Sequence, residues 1–90
     1  MQIQPIHEVK VTIKFENREV SCSLVVLSEN ELVVTTTEYI DKGSPVAFIS
    51  QFFRGEAQII HTRYSHYQFT YTFEILHINY QPGFLVNTKL

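Results

Sequence analysis

Tyr67-Gln68-Phe69-Thr70-Tyr71-Thr72-Phe73-Glu74-Ile75 carries a large apolar side chain at each odd position and a polar one at each even position. Successive side chains of a strand point to opposite faces, so this repeat describes a sheet element with one buried, aromatic face. β-Branched and aromatic residues at this density lose rotamer freedom against a preceding helical turn, which argues against a helix. Five large side chains on one face would fill much of a small barrel.

Working outward, the same period of two recurs. Val9, Val11, Ile13 and Phe15 alternate with Lys10, Thr12 and Lys14. Val20, Cys22, Leu24 and Val26 alternate with Glu19, Ser21 and Ser23. Glu16-Asn17-Arg18 between these runs is short enough for a tight hairpin, and Asn17 tolerates a left-handed backbone. Leu32 to Val34, Val46 to Phe53 and Ala57 to Ile60 are apolar on both faces. Asp41-Lys42-Gly43-Ser44-Pro45 turns the chain, and Arg54-Gly55 and Ser65-His66 are further turn candidates. Six strands are expected, over about 7–15, 19–27, 31–37, 45–52, 56–63 and 67–77. Short sequential strands joined by hairpins close most simply as an antiparallel barrel, which removes exposed edges. Pro82 suits the first position of one helical turn through Leu85, while Gly83 and Asn87 weaken it. A short C-terminal helix or plug is weighed equally with an irregular end.

Composition narrows the function. Val, Ile and Thr occur nine, nine and eight times in 90 residues, and Ala only at positions 47 and 57. The length leaves room for one domain, expected over 1–90 with its core at about 7–78. Cys22 stands alone, so neither an internal disulfide nor a Cys-rich metal site is expected. Seven basic residues against nine acidic ones are scattered along the chain, which argues against a nucleic-acid polymer as partner. No apolar run approaches the roughly 18 residues of a membrane span. Residues 1–8 lack a basic start followed by an apolar run, so a cytoplasmic location is expected.

Three stretches together resemble the PilZ domain, a bacterial module best known as a receptor for cyclic di-GMP. Val26-Leu27-Ser28-Glu29-Asn30-Glu31-Leu32-Val33 looks like that family's strand, D/N-x-S-x-x-G turn and following strand. Tyr39 to Phe48 is similar to the family's entry to its middle strand. Arg54-Gly55-Glu56-Ala57-Gln58-Ile59-Ile60 with Phe69 to Leu76 resembles its closing hairpin. The resemblance covers about Val9 to Ile78. It implies an all-β, small six-stranded antiparallel barrel.

The ligand-gripping half of the pattern is mostly absent. Cyclic di-GMP is a dianion, and guanidinium forks pair bidentately with phosphate or with a guanine edge. The family's RxxxR pair precedes its first strand, yet Gln2 to Glu8 holds no Arg or Lys. In the turn only Ser28 matches: Val26 replaces the carboxylate or amide, and Glu31 replaces Gly with bulk and negative charge. Two lost charge-assisted pairs at roughly 1.5–3 kcal/mol each lower affinity by about two to four orders of magnitude. Ser28, Glu31, Val26 and Arg18 are thus the candidate remnant of a ligand site. Cyclic di-GMP is not favoured as a cofactor, and Ser28 to Glu31 reads more simply as a polar turn.

The other candidates have plainer readings. His7, His61, His66 and His77 lack a partner at ligand spacing, so no metal is expected. Cys22 reads as a small buried hydrophobe. Lys10, Lys14 and Arg18 form a polar strand face of the kind that solvates a sheet. No paired carboxylates, Ser/His/Asp set or phosphate-cradling Gly loop stands out, so no catalytic residue is expected. Apolar doublets are more informative, because adjacent strand residues face opposite ways. Phe52, Phe53, Val25, Leu27 and Val33 are accordingly the candidate partner-facing residues, with cover by Phe84, Leu85 and Val86 as the alternative.

The expectation is a non-enzymatic signalling or adaptor module of atypical PilZ type. It would act through a protein partner, with weak or no cyclic di-GMP binding. The alternative is a cyclic di-GMP receptor with a non-standard site supplied by Arg18, Arg63 and Ser28, which requires at least two guanidinium groups to converge near Ser28. An RNA-binding small barrel is a lesser rival that needs exposed aromatics beside basic residues.

Overall fold

The computed structural model describes residues 2–43 and 45–80, and these form an all-β barrel. Its strands are β1 (Gln2–Ile3), β2 (Lys10–Phe15), β3 (Arg18–Ser28), β4 (Glu31–Thr36), β5 (Val46–Ser50), β6 (Phe53–Ser65) and β7 (Gln68–Tyr80). β2 to β7 close into a six-stranded antiparallel barrel, and β1 is an extra strand on β3. The expected segment after Pro82 lies outside the described residues.

The closure is not sequential. β2-β3-β4 and β5-β6-β7 are two meanders, and β5 pairs with β2 while β4 pairs with β7. The order β5-β2-β3-β4 is that of a Greek key, with the long connection running between β4 and β5. That connection crosses one end of the barrel and buries Ile40 there. Tyr71 holds it: the Ile40 N–H donates to the Tyr71 hydroxyl at 2.7 Å, and that hydroxyl donates to the Glu38 carbonyl at 3.0 Å. Thr36, also buried, donates to the Ser21 carbonyl at 3.1 Å and accepts from the Glu38 N–H.

The core face follows the alternation. Val11, Ile13, Val20, Cys22, Leu24, Phe48, Tyr71 and Phe73 are all buried. Three of the breaks in the alternation have a common physical cause in β-bulges. Between β3 and β4 the register slips at Leu24/Val26, leaving Val25 as the extra residue. Between β6 and β7 it slips at Glu56/Ala57 and at Ile59/His61, leaving Leu76 and Ile60 as the extra residues. Val25, Ile60 and Leu76 are three of the exposed large hydrophobics. A bulge inserts one residue and shifts the in-out phase, so two neighbours in sequence no longer alternate. Beyond the bulge Leu27 points inward and is fully buried, which corrects its expected outward placement.

Two further corrections concern β6. Arg54-Gly55 is not a turn but lies within the strand, opposite Phe48 on β5 and Ile78 on β7. A Cβ at Gly55 would collide with the His77 carbonyl oxygen and come within 2.8 Å of the Phe48 ring. Glycine is required there by close approach of backbone and ring. The real turn precedes it, where the Ser50 hydroxyl accepts from the Phe52 and Phe53 N–H groups at 3.0 and 3.2 Å. Phe53 then enters the core at 3% exposure, and its ring lies 5.9 Å from that of Phe48.

Candidate functional site

The antiparallel registers sort the loops into two ends. One end carries the Ser28–Glu31 turn, the Ser50–Phe53 turn and the end of β7. The other carries the Glu16-Asn17 turn, the 37–45 connection and the His66-Tyr67 turn.

At the first end, Ser28 is occupied locally. Its hydroxyl accepts from the Asn30 and Glu31 N–H groups at 3.4 and 3.0 Å. Ser50 makes the same pattern with the N–H groups two and three residues on. Ser and Thr hydroxyls cap turns in this way without any ligand. Val26 is half-buried beside the bulge, and Glu31 stands directly opposite Glu74. Like charges opposed on one sheet face disfavour each other and an incoming anion alike. Glu29 adds a third carboxylate, close enough to join burial in raising the Tyr80 phenol above its usual range.

Arg18 begins β3 and Ser28 ends it, a separation of about 30 Å at the usual rise per strand residue. Arg63 lies opposite Thr70, near the β6–β7 tip, so it too belongs to the end away from Ser28. The convergence that a non-standard anion site requires does not form. Arg18 instead meets Glu38 at 3.3 Å and covers the Phe15 ring, 5.1 Å from its centroid. Lys10 and Lys14 pair with Glu8 and Glu19 at 3.0 and 3.7 Å. The Ser23 hydroxyl at 2.6 Å, then Lys10, hold the Glu8 carboxyl below its usual range. The expected basic stripe is thus neutralised residue by residue.

Cys22 is buried on the core face, and desolvation pushes its thiol up to about 11. A thiol with that pKa is protonated at neutral pH and is a poor nucleophile. His61 and His66 are exposed, and no group of three His, Cys, Asp or Glu side chains among the described residues is placed to hold a metal. A concavity of about 420 Å³ is walled only by Lys14 to Glu19 of one hairpin and faces open solvent. It lacks the apolar enclosure of a small-molecule site. No helix among the described residues is long and apolar enough to cross a membrane.

Among the expected partner-facing residues, Leu27 and Phe53 are buried and cannot serve. Phe52 packs partly against the core, Val33 is half-buried, and Val25 is exposed at its bulge. The larger apolar exposure lies at the second end. Tyr67 was expected on the core face but sits in the turn at 86% exposure. Tyr39 and Tyr64 are also exposed and flank Phe69, their ring centroids 5.6 and 4.7 Å from its own. Phe69 stacks in turn on buried Tyr71, at 5.8 Å. An aromatic surface therefore continues the core face beyond the barrel wall.

Strand length explains the overshoot. β6 and β7 have 13 residues each, whereas β5 has five and β4 six. β5 covers only Arg54 to Ala57 of β6, so β6 runs on past it to Ser65, whereas β4 accompanies β7 as far as Phe69 beside the turn and leaves β7 uncovered only at the opposite end. Neither protein-family models nor curated proteins yield a match to this chain.

Proposed function

We propose that the chain is a non-enzymatic binding module of atypical PilZ type that works by contact with another protein rather than by gripping cyclic di-GMP. The observation that carries this reading is the exposed aromatic group Tyr39, Tyr64 and Tyr67 at one end of the barrel. Clustered exposed aromatics mark contact surfaces, and Tyr supplies large rigid area with a polar tip. The contrasting end supports the nucleotide clause: its serine is occupied by its own turn, and Glu29, Glu31 and Glu74 surround it with negative charge.

Two measurements test the reading. Calorimetric titration of the whole chain with cyclic di-GMP is expected to give no saturable binding in the low-micromolar range; binding there or tighter overturns the nucleotide clause. Affinity capture from the native cell, run beside a Tyr64→Ala/Tyr67→Ala variant that remains folded by circular dichroism, is expected to retain a protein that the variant loses. Identical capture by both forms overturns the assignment of this surface.

A further inference from the structure

The overshooting hairpin leaves more than aromatic rings outside the barrel. β6 pairs with β7 along its whole length but with β5 only from Arg54 to Ala57. Gln58 reaches back to the connection, its side-chain amide donating to the Gly43 carbonyl at 3.2 Å. From Ile59 to Ser65 no strand among the described residues lies on the other side. Alternate backbone N–H and C=O groups there face away from β7, which is a template for one more strand.

One device that blunts such an edge is present, the bulge at Ile60, but the others are sparse. The run Ile59-Ile60-His61-Thr62-Arg63-Tyr64-Ser65 contains no proline and a single formal charge, Arg63. Its turn is strained: His66 and Tyr67 have φ of 53° and 64°, a region that L side chains with bulk rarely adopt.

Charge selects the occupant. The chain carries nine carboxylates, yet none lies between Glu56 and Glu74. Lys10, Lys14 and Arg18 each meet a carboxylate, whereas no ion pair among the described residues involves Arg63. A second copy pairing edge to edge would bring Arg63 and the histidines against their own kind. We propose that Ile59 to Ser65 accept an extended, carboxylate-bearing segment of a protein partner as an added strand. Arg63 meets its acid, and Tyr64 and Tyr67 pack its apolar side chains. This rests on the protein-binding reading above and names the partner's chemistry.

The test uses the full chain with two capped heptapeptides, acetyl-Thr-Glu-Val-Glu-Val-Glu-Thr-amide and its Lys-for-Glu counterpart. The acidic peptide is expected to slow amide exchange at residues 59–65. The basic peptide and an Arg63→Glu chain should bind at least about tenfold more weakly, as befits one charge-assisted contact. Arg63→Lys should retain most binding, and N-methylation of alternate peptide amides should abolish it. Equal binding of acidic and basic peptides, or protection that spares 59–65, overturns the proposal. So does a concentration-dependent dimer of the chain alone that protects this edge, or saturable binding of oligouridylate there. If the peptides fail while Tyr64→Ala/Tyr67→Ala still loses a captured protein, only the strand-addition inference falls; if both fail, the protein-binding reading falls with it.

Discussion

Two of the hairpin turns are built alike and end in different surroundings. Glu16-Asn17 joins β2 to β3 with φ of 48° and 63°, and His66-Tyr67 joins β6 to β7 with φ of 53° and 64°. Both have the paired positive φ of a type I′ turn, whose twist matches that of the strands it joins. The first lies at the barrel rim: Phe15 beside it packs against the core, and Arg18 is engaged by Glu38 and the Phe15 ring. The second tips a strand, β6, whose neighbour β5 stops at Ala57, and its aromatic residue lies in solvent. The same backbone device closes a wall in one place and presents a surface in the other, and the packing beside each turn makes the difference: Glu38 and the Phe15 ring engage Arg18 at the first, while Tyr67 of the second lies in solvent.

That contrast predicts a gradient of effects along the β6–β7 hairpin. Phe73→Ala, inside the wall, should destabilise the chain by about 3–5 kcal/mol in chemical denaturation, as aromatic core truncations do. Tyr64→Ala, in the overshoot, should cost well under half as much; equal losses would show that the hairpin is packed along its whole length. Next in size is Tyr71→Phe, which leaves the buried Ile40 N–H without its acceptor and should cost about 1–3 kcal/mol. Its amide should then exchange faster, and unchanged exchange would dismiss the hydroxyl as the tether of the 37–45 connection.

The wall beside the first turn adds a pH signature. An unfolded Cys ionises near 9.0, while folded Cys22 holds its proton to about 11. The unfolded state therefore loses its proton first, so stability is fully present below pH 9 and declines between 9 and 11. The decline should be about 1–2 kcal/mol, a reduced figure because the shift is not that of a wholly dry site. Burial also raises the Tyr71 phenol, which extends the decline. Cys22→Ala should flatten this limb measured by urea unfolding from pH 8 to 11; an unaltered limb would assign it elsewhere. The smallest effect belongs to the turns themselves. His66→Asn/Tyr67→Gly relieves the left-handed strain and should stabilise by about 1 kcal/mol, while Glu16→Asn/Asn17→Gly should gain less because Asn17 already suits its place. Equal gains would erase the distinction between the turns.

Much of the wall was legible in the sequence. Val9 to Phe15, Val20 to Leu24 and Phe69 to Ile75 alternate because one face of each is buried, and their core residues are those the alternation names. Asn17 marks its turn by its own backbone tolerance. The doublets were legible only as a conflict: Val25, Ile60 and Leu76 break the period because bulges insert a residue, and a bulge is defined by the partner strand's register. Gly55 misled for a related reason. Glycine permits a turn, but here it admits the Phe48 ring, a contact made by a residue seven positions away. Tyr67 shares the parity of Phe69 and Tyr71, yet the turn takes it out of the strand and into solvent.

Local chemistry alone thus settled that the chain makes strands, which side chains they bury over most of their length, and that Gln2 to Glu8 carries no Arg or Lys. The pairing of β4 with β7 and of β2 with β5 came from tertiary closure, because a crossover and its Tyr71 tether join residues some thirty positions apart. So did the unpaired stretch of β6, since an edge exists only where neighbouring strands stop short.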